Sequence, residues 1–240
     1  MPHLSIIIPA HNEQDRVGPT LERVADYLGE QPYEAEVIVV DDVSADHTGG
    51  VVDAFAAQHP AFRRLRRDAH PGKGAAVRAG MLEASGDYRL FSDADLSTPI
   101  EETAKLLAAC EGDYEVAVAS RALPESNLAV RQPWFRETMG RTFNLMVQIG
   151  AVWGIRDTQC GFKCFRGAVA EELFERMTIT GFAFDVEILF LARKRGYRIA
   201  EIPVTWINSP KSRVDPIRDS LRMMRDLARI RWRSLRGAYR

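Results

Sequence analysis

A doubly wound α/β domain, with a mostly parallel central sheet and helices on both faces, is the fold this sequence predicts. Three observations carry that expectation. Short β-branched runs alternate with helical patterns through the first half of the chain. Runs such as Ile6-Ile7-Ile8 and Val37-Ile38-Val39-Val40 do not alternate apolar with polar residues, so they read as strands buried on both faces. A polar cluster also follows each strong run, and in open α/β sheets ligands sit outside the carboxyl ends of the strands.

In chain order, "LSIIIPA" (4–10) and "EVIVVDD" (36–42) are the first strands, with a weaker one at 62–66. "YRLFSDAD" (88–95) and "YEVAVASR" (114–121) complete the confident set. Helical patterns fill 13–29, 47–58, 73–85 and 100–110 between them. A helix rich in aromatic residues is expected over 132–152, after Pro133, followed by a loop, "GIRDTQCGFKCF" (154–165). Helices near 167–176 and 183–195, a strand over 197–206 and a basic helix close the pattern. With no repeat or flexible linker, the division is one domain over 1–214 and a basic amphipathic helix over 215–240.

The chain has 240 residues, 46% hydrophobic and 27% charged, and a formal net charge of −1, which argues against a nucleic-acid binder. Segment 215–240 stands apart, with eight arginines against three aspartates. Cys110, Cys160 and Cys164 lack zinc-knuckle spacing and read as small packing residues of a reducing compartment. The longest apolar stretch, 145–155, falls short of the roughly 20 residues that span a bilayer. The expected location is therefore cytoplasmic, peripheral on a membrane face.

Candidate chemistry gathers in four polar clusters at the predicted strand ends: "PAHNE" (9–13), "DDVSADHT" (41–48), "DADLSTP" (93–99) and "SRALPES" (120–126). Asp93 and Asp95, one residue apart, need a counter-charge, and a hard divalent ion sharing a substrate's phosphate oxygens supplies it. A capped turn before the helix at 100 is the structural alternative. Gly72 and Gly74 bracket Lys73 at a helix start, a place suited to an anion or to an ordinary loop. Asp41 and Asp42 read as hydrogen-bond acceptors for a base or ribose, or as turn formers. GxGxxG and GxxxxGK[ST] are both absent, against a dinucleotide site or a P-loop.

Together "LSIIIPAHNE", "VIVVDDVSADHT", "GKGAAVRAGM", "DADLSTP", "DTQCGFKCF" and "FAFDVEIL" resemble the ordered motifs of the family 2 glycosyltransferases with a GT-A fold. The later motifs look like those of the dolichyl-phosphate β-glucosyltransferase branch, with the dolichyl-phosphate mannosyltransferases as relatives. The resemblance implies an inverting, metal-dependent transfer of a hexose from a nucleotide-sugar to a polyprenyl phosphate. UDP-glucose is the favoured donor and GDP-mannose the alternative. It places Pro9, Ala10, Asn12 and Glu13 beside the nucleotide, Asp41 and Asp42 near base and ribose, and Lys73 near the donor. Asp93, Ala94 and Asp95 would bracket the sugar-diphosphate and Mg²⁺ or Mn²⁺. Ser97 stands where some relatives carry a Gln ligand.

A phosphate monoester is largely dianionic at neutral pH, with a second pKa of about 6, so it needs cations more than a base. Arg121, Arg131, Arg136, Lys211 and Arg213 are the candidates for it, with Arg121 and Arg136 favoured. Asp185 is a candidate base or, better, a positioning carboxylate, and Asp157 and Gln159 belong to the same acceptor-type loop. In the basic helix Ile217, Leu221, Met224, Ala228 and Leu235 fall near helical spacing among arginines, a pattern suited to anionic lipid or to core packing. Trp134, Phe135 and Phe143 make 132–152 a second interfacial candidate. A membrane-anchoring partner protein or a second copy of the chain would serve the same end. Transfer to a saccharide or small hydroxyl acceptor, with Asp185 as essential base, and non-catalytic nucleotide-sugar binding are the competing functions.

Overall fold

A computed structural model describes residues 1–68, 72–130, 152–207 and 216–239, with backbone alone at 130 and 216–221. In chain order the elements are β1 (Leu4–Ala10), α1 (Val17–Gly29), β2 (Ala35–Asp42), α2 (Thr48–Ala56), β3 (Phe62–Arg67), α3 (Lys73–Glu83) and β4 (Tyr88–Ser92). A 3₁₀ turn (Ile100–Glu102) leads into α4 (Thr103–Glu111), then β5 (Val116–Ser120), β6 (Asn127–Val130) and β7 (Phe162–Arg166). After these come α5 (Gly167–Arg176), α6 (Phe184–Lys194), β8 (Ile199–Pro203), β9 (Thr205–Ile207) and α7 (Pro216–Leu235).

Seven strands form one sheet in the order β3-β2-β1-β4-β7-β5-β8. Every pairing in it is parallel except those of β7, which runs antiparallel to both β4 and β5. Alternate residues of each strand feed cores on opposite faces, because side-chain direction has period two. Leu4, Ile6, Ile8, Val37, Val39 and Leu90 enter one core. Ile7, Ile38, Val40 and Phe91 enter the other. Unbroken apolar runs are therefore the signature of a sheet covered twice, as expected.

Helix α1 docks through Val17, Leu21 and Val24, spaced to share one face. Helix α3 shows close packing at Gly80, where an added Cβ would lie 2.5 Å from Ile7 Cγ2 and 2.8 Å from Val40 Cγ2. The three cysteines are free and buried in the packed interior.

Three expectations are corrected. The segment 154–165 is not a loop throughout, since its end enters β7 in the middle of the sheet. There Lys163 interrupts an otherwise apolar run that would have marked a strand. The strand expected over 197–206 is also divided at Val204, with β8 completing the sheet and β9 pairing with β6 in a separate parallel ribbon. The strand expected over 88–95 ends at Ser92, and the helix expected over 132–152 lies, up to 151, outside the described residues.

Gly80→Ala should destabilise the fold by about 1–3 kcal/mol through overpacking between α3 and β1–β2. Urea unfolding followed by circular dichroism measures it, and an unchanged midpoint would contradict the packing described.

Candidate active site

The carboxyl ends of β1, β2 and β4 open on one edge of the sheet. Each is followed by a residue in the left-handed region: Asn12 (φ 54°), Val43 (φ 57°) and Leu96 (φ 44°). Asparagine tolerates that conformation, whereas a β-branched valine does so only under constraint. The constraint near Asn12 and Val43 is a lacing of two loops. His11 Nδ1 donates to the Asp42 carbonyl (2.6 Å), and Asn12 N donates to Ser44 Oγ (3.0 Å). Ala45 N donates to Asn12 Oδ1 (2.7 Å), and Glu13 N donates to Thr48 Oγ1 (2.8 Å). The Glu13 carboxylate meanwhile holds Arg16 at 2.6 and 2.7 Å. Pro9 and Ala10 end β1 in register with Val40 and Asp41.

Asp41 and Asp42 both meet arginines of β3. Asp41 accepts from Arg64 at 3.1 Å, and Asp42 pairs with Arg67. Asp42 also accepts from Gly72 N (2.7 Å), which ties the end of β2 to the start of α3. A Cβ on Gly72 would lie 2.5 Å from the Thr180 carbonyl, and one on Gly74 2.7 Å from Phe184 Cβ. The close approach these glycines permit is thus to the chain itself, pressing the start of α3 onto the segment before α6. Lys73, held between them, reaches Asp93 Oδ1 at 2.6 Å. Burial works against the Lys73 charge, but Asp93 and Asp185 outweigh it and hold the ammonium above its ordinary value.

Asp93 and Asp95 lie in the turn after β4, half-buried, while Ala94 and Leu96 between and beyond them are buried. The turn is fixed from several sides. Thr20 Oγ1 donates to the Ala94 carbonyl (2.7 Å), Ser97 N donates to Asp95 Oδ1 (3.0 Å), and Asp93 N donates to the Gly161 carbonyl (3.1 Å). A side chain at Gly161 would run into the Asp93 carboxylate. Ser97 takes part through its backbone, its carbonyl accepting from Ile207 N at 2.7 Å.

Behind the turn, Lys163 is fully buried in β7 and pairs with Asp185 in the first turn of α6. Its ammonium also donates to the Cys160 carbonyl (2.6 Å) and lies 5.3 Å from the centroid of the Phe91 ring. Burial pushes the Asp185 carboxyl above the usual carboxylate range, against the opposing pull of Lys163 and Lys73. Arg121 and Asp157, both expected at the acceptor, bind each other. Nε and Nη2 donate to the two carboxylate oxygens at 2.7 and 3.0 Å, and Arg121 N adds a bond of 3.0 Å. The guanidinium also lies over Trp206, 5.5 Å from its centroid. Burial opposes the Asp157 charge, but Arg121 outweighs it and holds the carboxyl low. Gln159 follows, half-buried, its backbone N donating to Asp157 Oδ1 (3.2 Å).

The site therefore unites Lys73, Asp93, Asp95 and Asp185, with Arg121 and Asp157 on its far side. Arg131, Arg136, Lys211 and Arg213 lie outside the described residues. Lys163, Gly161, Arg67 and Trp206 were not singled out by the sequence. Lys163 is a lone charge in an apolar stretch and Asp185 shares its own only with Glu187, a signal that could have paired them. Four carboxylates (Asp93, Asp95, Asp157, Asp185) face three cations (Lys73, Lys163, Arg121), so one negative charge is in excess. Among the described residues no group of three or more His, Cys, Asp or Glu side chains could hold a metal ion. Two hard carboxylates with excess negative charge nevertheless fit Mg²⁺ or Mn²⁺ whose shell is completed by water and substrate phosphate.

Two outcomes test this geometry. Gly161→Ala should displace the Asp93 carboxylate, weakening Mn²⁺-supported nucleotide binding at least tenfold by calorimetry, roughly one charge-assisted contact, while the fold persists. Asp157→Asn should cost about 3 kcal/mol by leaving Arg121 without its partner. Because the folded Asp157 carboxyl is held low, its contribution is complete above the unfolded value near 3.9 and lost as pH falls further. Urea midpoints of the two proteins should therefore converge only below about pH 4.

The Glycosyl transferase family 2 model matches residues 5–174. The dolichyl-phosphate beta-glucosyltransferase of Drosophila melanogaster is 38% identical over 250 residues, covering 99% of this chain and 77% of that protein. Its counterpart in Dictyostelium discoideum is 35% identical, covering 99% and 76%. Among solved structures, glucosyl-3-phosphoglycerate synthase from Mycobacterium tuberculosis, in complex with Mn²⁺, UDP and glucosyl-3-phosphoglycerate, superposes with a TM-score of 0.68 at 17% identity, covering 95% of this chain and 78% of that one. That likeness establishes the GT-A type of fold. The motifs, the sheet and the similarity along nearly all of this chain agree, and the chain belongs to glycosyl transferase family 2, alongside the dolichyl-phosphate β-glucosyltransferases.

Proposed function

We propose that this protein transfers glucose from UDP-glucose to a polyprenyl phosphate such as dolichyl phosphate, with inversion at the anomeric carbon. The observation that carries the reading is the turn after β4 at the carboxyl edge of the sheet, where Asp93 pairs with the Lys73 ammonium and Asp95, half-buried like Asp93, stands two residues on. Near-full-length similarity to dolichyl-phosphate β-glucosyltransferases supports the choice of sugar and acceptor.

In the proposed reaction an acceptor phosphate oxygen attacks the anomeric carbon. The bond from that carbon to the diphosphate breaks, and its electron pair leaves with UDP. Asp93 and Asp95 would hold Mg²⁺ or Mn²⁺, which when bound supplies positive charge for the departing diphosphate. Lys73 adds a second positive charge, aimed by the two glycines that lock its backbone. Asp185 is 3% exposed and engaged by Lys163, so it serves to position the cations rather than to collect a proton. No base is required, since the acceptor phosphate is already dianionic near neutral pH. Arg121, with Asp157 fixing its direction, presents the edge of a guanidinium to the acceptor side.

Incubating the purified chain with Mn²⁺, polyprenyl phosphate and labelled UDP-glucose should move label into the organic phase. Labelling from GDP-mannose alone would replace the donor, and labelling of free sugars alone would remove the lipid acceptor. Asp95→Asn should lower turnover at least about 100-fold, the scale of losing electrostatic stabilisation of a leaving group, with an unchanged unfolding midpoint.

A further inference from the structure

Helix α7 presents three faces. At about 100° per residue, Leu227 and Ile230 share one face, with Met223 beside them, and it is docked: Leu227 and Ile230 are buried in the core and Met223 packs against it. Lys194 of α6 clamps the far end of the helix, donating to Ser234 Oγ at 2.8 Å. Tyr239, beyond the helix, is buried against Phe190 and donates to Glu187. The second face lies roughly 120° away. It carries Met224, Ala228, Trp232 and Leu235, all exposed, with Trp232 at 53% and Leu235 at 87%. Ile217 and Leu221 fall on the same line of the sequence. Packing within the domain thus uses Leu227 and Ile230 and leaves this apolar row outside. The third face adjoins it and carries exposed Arg225, Arg229 and Arg236. Arg236 stacks on Trp232, its guanidinium 4.0 Å from the ring centroid.

We propose that the second and third faces of α7 form a docking surface for an anionic lipid bilayer. Met224, Trp232 and Leu235 would enter the boundary between headgroups and acyl chains. The adjacent arginines would meet lipid phosphates, and an arginine-backed indole suits that depth. Charge complementarity selects this occupant. Stacking the same face of a second copy antiparallel about a twofold axis would bring the arginine rows together, whereas an anionic surface compensates them. Among the described residues no helix is long and apolar enough to cross a membrane, so attachment through this surface is interfacial. The purpose of docking rests on the acceptor reading above, but binding is measured without substrate, so the two fail separately.

The test is co-sedimentation of the full chain with vesicles of phosphatidylcholine alone or containing about one third phosphatidylglycerol. The chain should pellet with the anionic vesicles and be released as salt rises toward roughly 0.5 M. Trp232→Ser with Leu235→Ser should lower partitioning about tenfold or more. Arg225→Glu with Arg229→Glu should remove the preference for anionic lipid. Both variants should keep the wild-type unfolding midpoint and UDP-glucose affinity. Wild-type protein left in the supernatant, or variants that pellet like wild type, would overturn the proposal. So would a dimer in sedimentation velocity that these substitutions dissolve without altering vesicle binding.

Discussion

The buried pair of Lys163 and Asp185 is the interaction on which the rest of the site depends. Lys163 is fully buried in a strand flanked on both sides, where an uncompensated ammonium would cost several kcal/mol. Only a carboxylate brought to that point makes the strand tolerable, and Asp185 arrives there because α6 begins one residue earlier. The pair therefore fixes α6 against the sheet. The segment before α6 carries Ile179 and Thr180, and the start of α3 presses on it through Gly72 and Gly74. Glu187 braces the same segment from within, accepting from the amides of Thr178 (2.9 Å) and Ile179 (2.7 Å). Through these contacts a charge pair in the core decides where Lys73 stands and how it meets Asp93.

Strain at the strand ends has the same logic. Asn12, Val43 and Leu96 occupy backbone conformations that cost of order 1 kcal/mol or more each for residues with a side chain. They follow three neighbouring strands, β1, β2 and β4, at the edge where the carboxylates gather. The loops are held by side chains whose residue types suggested ligand contacts. Asn12 spends its amide carbonyl on Ala45, and Asp42 divides its oxygens between Arg67 and Gly72. These residues shape a rigid cradle before any substrate arrives. Preorganisation of this kind lets fixed charges act without a reorganisation cost at the moment of bond cleavage.

Much of the fold was legible because doubly covered parallel strands leave unbroken apolar runs, as in Ile6-Ile7-Ile8. Strand β7 was not legible, because its identity depends on a long-range pairing. "FKCFR" reads as a strand only when Asp185, 22 residues on from Lys163, is known to neutralise the lysine. The aspartates of the turn after β4 were legible as a charge cluster in need of a partner, since two carboxylates one residue apart demand compensation wherever they occur, and Lys73 partners Asp93. Gly161 was not, because its value lies in the space it leaves for Asp93 rather than in any local turn. On α7 the apolar spacing of Met224, Ala228 and Leu235 was visible. Which of two apolar rows the core would take was not, and Leu227 and Ile230 were taken instead.

The distribution of charge explains why one architecture can serve a phosphate acceptor. An alcohol must surrender a proton as it attacks, which calls for an accessible carboxylate or imidazole near the reacting carbon. Here three of the four carboxylates are committed otherwise, and Asp95, the fourth, is the one that the proposed function gives to the metal. Asp185 is buried against Lys163, Asp157 is held by Arg121, and Asp93 faces Lys73. Each is paired with a cation, so each fixes the direction of a positive charge instead of waiting for a proton. A dianionic acceptor and an anionic donor repel one another, and the main task of the protein is to bring them together against that repulsion. In the proposed reaction cations aimed by paired carboxylates do this without exposing a base that water could use, so the site would work by electrostatic guidance rather than proton transfer.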